Sequence, residues 1–136
     1  MRLQASSNQG TAPQSVPAFC LTTDAVKDVV HISGPKVGDY YQVTKVDIDN
    51  LGTMPGFGII IRKLSATVCI VQTSGVVSNV YTGLTPSKTL FVGVDSQLSE
   101  TVTPHKPTPG QRVLQIMGLA LSVSDLLLNV ESPIIL

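Results

Sequence analysis

The chain has 136 residues, 43% of them hydrophobic and 13% charged, with nine Lys and Arg balanced by nine Asp and Glu. That length suits one domain with a real core rather than two, and a charge content near half the usual share of roughly 25% leaves the chain poorly protected against association. The cations are scattered, only Arg62 and Lys63 being adjacent, which argues against nucleic acid as a partner, and no run nears the roughly 18–20 apolar residues of a membrane span.

Residues 1–17 (MRLQASSNQGTAPQSVP) are rich in Gln, Ser, Gly, Thr and Pro. Such a segment buries too little apolar surface to offset the entropy of ordering itself. It lacks the apolar stretch of a signal peptide, and the expectation is a flexible N-terminal arm ahead of a single β domain over residues 18–136. Apolar residues punctuate it at Leu3 and Val16, with Phe19 just beyond. These three are the candidate partner-binding residues of an arm that orders against a neighbouring subunit.

From Ala18 onward, short β-branched and apolar runs alternate with Gly, Pro, Asn, Asp and Ser, the signature of a sheet protein. Residues 18–22, 29–33 and 40–46 read as the first strands, with a turn at Gly34 and Pro35. Residues 47–56 (DIDNLGTMPG) read as a loop or a single helical turn. Next come GIIIRK (58–63), a turn, TVCIVQ (67–72), a turn at 73–75, and VVSNV (76–80). Branched side chains lose rotamer freedom in a helix and pack well on a pleated surface, so these are strands. TLFVGV (89–94) follows, with a polar hairpin tip at 95–97.

TPHKPTPG (103–110) carries three prolines and reads as an exposed connector. RVLQIMGLAL (112–121), LLLNVE (126–131) and PIIL (133–136) complete the strands. Residues 119–128 are also permissive for helix, but the Ser-Val-Ser-Asp break at 122–125 favours a hairpin. Residues 58–77 and 118–136 echo one another: a Gly, an apolar strand, a Ser-containing turn, a second apolar strand. The fold class expected is all-β, a compact sandwich or barrel of short antiparallel strands with an extended N-terminal arm.

Catalysis needs a nucleophile beside a base, paired carboxylates or a metal set, and the residues provide little of this. His31 lies in an apolar strand and reads as a core or edge histidine; His105 sits in the proline-rich connector. Asp47 and Asp49 in DIDN lack the Gly and Glu of a calcium loop. Cys20 and Cys69 read as two reduced, buried thiols, with a single bridge between them left open. No GxGxxG, GxSxG, HExxH or phosphate loop occurs. The expectation is therefore a non-enzyme with no catalytic, cofactor-binding or metal residue and no small-molecule substrate.

The order of the phrases AFCLTTDAVKDVVHISG, KVDIDNLGTMPGFGIII, SATVCIVQTSGVV, YTGLTPSKTLFVG and VLQIMGLALSVSDLLLNVE resembles a small β module of tailed-bacteriophage virion proteins. That group includes capsid decoration, or cement, proteins and modules attached to tail fibres and baseplates. The resemblance spans residues 18–136. It implies a virion protein made in the host cytoplasm, seated on the capsid surface as an oligomer, commonly a trimer, with the major capsid protein and copies of itself as partners. A tail-side module for attachment or host recognition is the alternative, with its loops at 95–110 engaging a receptor or fibre.

Overall fold

The computed structural model describes residues 13–47, 51–101 and 113–135. They form eleven strands: β1 Gln14–Phe19, β2 Val29–Val37, β3 Tyr40–Lys45, β4 Gly58–Lys63, β5 Val68–Ser78, β6 Thr89–Val92, β7 Leu98–Ser99, β8 Val113–Leu114, β9 Ile116–Ala120, β10 Asp125–Asn129 and β11 Ile134–Ile135. Among the described residues the helical elements are single 3-10 turns at Leu51–Thr53 and Val94–Ser96. The class is all-β.

β1 pairs with both β3 and β5, and the path β1-β3-β2-β4-β5-β1 closes a five-stranded barrel. Every contact around it is antiparallel except β1–β3, which is parallel. β5 is long enough to serve twice. Its first half completes the barrel, and its second half pairs with β10 to begin a second sheet, β5-β10-β9-β6-β7. β8 and β11 form a separate two-stranded ribbon.

Two buried clusters follow from this layout. The barrel interior holds Ala18, Cys20, Val30, Val43, Ile60, Cys69 and Val71, all small or medium side chains, as the narrow lumen of a five-stranded closure requires. Tyr41 and the tilted ring of Phe57, 5.6 Å apart between centroids, pack against that cluster. The second core lies between the outside of the barrel and the second sheet and includes Val29, Val46, Ile59, Leu90, Met117, Leu126 and Leu128. The consecutive pairs Val29–Val30 and Ile59–Ile60 divide between the two cores. Successive residues of a strand face opposite ways, so β2 and β4 are buried on both sides there. This is why their sequences run apolar without alternation.

Two glycines are dictated by close backbone approach. A Cβ on Gly58 would lie 2.4 Å from the Gln72 carbonyl oxygen, and one on Gly118 only 2.1 Å from that of Leu127. At Gly118 the β6–β9 register shifts, Leu90 facing Gly118 and Phe91 facing Ile116. Met117 is the extra residue of a bulge. Its side chain is buried in the second core beside the glycine.

The structure departs from the sequence reading at several boundaries. β1 begins at Gln14, so residues 14–17 of the expected arm are barrel strand. Residues 20–22, expected in that strand, lie beyond it. Gly34 and Pro35 do not turn the chain; β2 runs through them with register shifts, and the reversal comes at Gly38, whose φ is +59°. The turn expected at 73–75 is absent, because β5 continues through a left-handed Gly75 as one strand. Residues 119–128 form the β9–β10 hairpin. Leu3, Asp49, His105 and the connector at 103–110 lie outside the described residues.

The echo between the two hairpins is seen at their turns. Leu64 and Ser65 both donate to the Val68 carbonyl, and Leu121 and Ser122 both donate to that of Asp125. In each turn the serine Oγ accepts the amide two residues on, Ser65 from Thr67 and Ser122 from Ser124. The glycines at 58 and 118 occupy different places relative to these turns and are not equivalent.

Candidate functional site

Among the described residues, several polar side chains are engaged in holding the structure together. Gln115 is buried. It donates to the carbonyls of Gly56 (3.2 Å) and Glu131 (2.9 Å) and accepts the Gly56 amide (2.8 Å). In this way the 55–57 loop is bound to the second sheet as if to another strand. Asp28, also buried, accepts the Ala25 amide on one oxygen and Gln97 Nε2 on the other, each at 2.8 Å. The buried Ser96 hydroxyl donates to the Val46 carbonyl. The tip at 95–97 is therefore fastened to the barrel. Tyr81 donates its hydroxyl to the Lys27 carbonyl at 3.1 Å, and burial, with Asp28 nearby, pushes the phenol well above its ordinary range.

At one end of the barrel Cys20 and Cys69 face each other from adjoining segments, since Ala18 pairs with Cys69 and the Cys20 amide donates to Thr67. Burial, and then the contact with Cys20, pushes the Cys69 thiol up to about 12. Both cysteines are free, buried thiols. A thiol that resists ionisation is a poor nucleophile. Lys63 lies over this end and donates to the carbonyls of Asp24 and Leu21. His31, lowered chiefly by burial, lines a shallow cleft of about 200 Å³ with Ile32, Met54, Pro55 and Phe57. Neither place joins a nucleophile to a base. Among the described residues no three His, Cys, Asp or Glu side chains gather as a metal set.

What the surface does offer is apolar. Of the candidate partner-binding residues, Phe19 stands on the outside of the barrel, 38% exposed, its ring stacked on Tyr40 at 4.9 Å between centroids. Paired residues share a face. Phe19 pairs with Val68 and Pro17 with Ile70, while Ala18, Cys69 and Val71 point inward. Phe19, Tyr40, Pro17, Val68 and Ile70 thus form one outer face of the barrel. Arg62, paired with Ile70, shares it and is exposed. Val16 turns the other way and packs against the barrel core, so the structure separates it from Phe19.

A second apolar face lies on the far side of the second sheet. Val76, Leu127, Leu119 and Thr89 form a row across β5, β10, β9 and β6. Val76 and Leu119 are each 38% exposed, and Leu121 and Val123 at the β9–β10 turn reach 45% and 60%. A hollow of about 280 Å³ opens beside the row, lined by Ile116, Gly118, Leu119, Leu127 and Glu131 among others. It lies on the outer side of β9 beside the bulge, where Gly118 adds backbone to the lining. The sequence reading missed this surface. Its signal was present in the three consecutive leucines 126–128, since the middle one must face away from its neighbours. No family model, curated protein or solved structure matches the chain.

Proposed function

We propose that this chain is a structural protein of a tailed-phage virion, a capsid decoration or cement protein that acts by protein–protein contact. The observation that carries the reading is the pair of exposed apolar faces, one around Phe19 and Tyr40 and one around Leu119 and Leu127, on a closed-barrel body with few charges. Exposed apolar patches rimmed by polar residues mark protein interfaces. A closed barrel removes open strand edges from that part of the molecule, which leaves faces rather than edges for contact. The phrase order that resembles phage virion modules supplies the setting.

The test is the copy number of the chain in purified particles, measured by quantitative mass spectrometry against the major capsid protein. A simple ratio maintained over hundreds of copies is expected. A handful of copies per particle would assign the chain to the tail or neck, and absence from particles would end the virion reading.

A further inference from the structure

We propose that the two apolar faces are the halves of one self-contact: the barrel face of one copy covers the second-sheet face of the next. This deepens the protein–protein contact of the proposed function and rests on that reading only for its setting in a particle. Charge distinguishes a second copy in this arrangement from other occupants. Among the described residues, the chain up to Thr73 carries five basic side chains (Lys27, Lys36, Lys45, Arg62, Lys63) against four acidic ones (Asp24, Asp28, Asp39, Asp47). From Ser74 onward there is one lysine, Lys88, against Asp95, Glu100, Asp125 and Glu131. Over the whole sequence, with Arg2, Asp49, Lys106 and Arg112 included, residues 1–73 are +1 and residues 74–136 are −1.

The faces themselves follow this split. Asp125 lies two residues from Leu127 on the outward side of β10, and Glu131 borders the hollow. Arg62 stands beside Ile70 on the barrel face. Two second-sheet faces brought together would set Asp125 and Glu131 against their own copies, and like charges at an interface disfavour that pairing. The second-sheet face against the barrel face instead sets acid opposite base, apolar against apolar, with the hollow beside Gly118 open to a side chain of the Phe19–Tyr40 face. A contact between unlike patches is head-to-tail, and repetition closes a ring or extends a row. The balanced total of nine basic and nine acidic residues puts no net repulsion in the way.

The experiment is sedimentation velocity on the full chain at low salt, with R62E and E131R prepared separately and then mixed. Both positions are exposed, and circular dichroism checks that each variant is folded. The parent should associate with rising concentration, and each single reversal should weaken association at least about tenfold. Mixing R62E with E131R should restore it. The two reversed side chains then oppose each other at one contact, and the two unaltered partners, Arg62 and Glu131, meet at the next. A parent that stays monomeric to hundreds of micromolar, or variants that associate no better mixed than alone, would overturn the contact. Particle copy number is read independently. A chain abundant on particles yet monomeric in solution sinks the self-contact alone, whereas restoration by mixing with no chain on particles sinks the virion reading alone.

Discussion

A few residues carry constraints out of proportion to their size. Gln115 satisfies three backbone groups of the interior at once. Replacing it by Leu would strand the Gly56 amide and two carbonyls, each unmet buried group costing roughly 1–3 kcal/mol before relaxation. Q115L should lose about 2–4 kcal/mol of stability in urea denaturation; a loss under half a kcal/mol would mean that water replaces the side chain without penalty. Gly118→Ala should be comparably harmful, since the obstacle is the Leu127 carbonyl rather than a side chain that can move. His31 introduces a pH dependence. Its folded pKa lies below the ordinary 6.5 because burial disfavours the charged ring. The unfolded chain therefore binds the proton more readily, so this contribution is fully present above pH 6.5 and is lost as pH falls from there through the lower folded pKa. In thermal melts between about pH 7 and 5, H31Q should show a smaller loss of stability than the parent; parallel profiles would remove His31 as a cause.

At the level of elements, β1 and β5 determine the architecture. β1 closes the barrel by pairing with strands on both sides, and β5 ties the barrel to the second sheet. Gln72 helps β5 make that passage: it is buried and donates to the carbonyls of Ser74, still paired with β1, and of Val76, paired with β10. Starting the chain at residue 13 should leave the cooperative melt in place, because β1 begins at Gln14. Starting it at residue 18 removes four of the six residues of β1 and should abolish the melt. Equal melts for the two truncations would show that β1 is dispensable for closure. The candidate arm was legible as a polar segment with apolar punctuation, but its end was not. A strand flanked on both sides by partners can recruit residues such as Gln14 and Ser15 whose composition predicts a loop, because tertiary pairing overrides weak propensity.

For the whole molecule, the decisive feature is that two cores share strands. Val29 and Ile59 serve one core while Val30 and Ile60 serve the other, so neither can come apart without exposing the other's backing. Ile60→Ala in the barrel and Leu126→Ala in the second core should each cost about 2–5 kcal/mol. Both should lower one common transition. Two separate transitions in calorimetry would show that the barrel and the second sheet unfold independently.

The β-branched runs by themselves determined that this is an all-β chain, because side-chain branching acts locally. They also determined the extent of β4, while the turn formers marked the hairpin at 119–128 and left 47–56 as a loop or a single helical turn, of which the structure shows a 3-10 turn at Leu51–Thr53. The low, balanced charge was legible from composition alone, whereas the exposure of Phe19 on the barrel's outside was not. Only the tertiary structure decided that β5 is one strand rather than two, that β1 begins inside the expected arm, and that Val16 and Phe19 face opposite ways. It alone assembled Val76, Leu127 and Leu119 into a row. Val76 lies on β5, distant in the chain from the β9–β10 hairpin that carries the two leucines, and register between distant strands depends on which faces are buried together, a long-range choice no local pattern records.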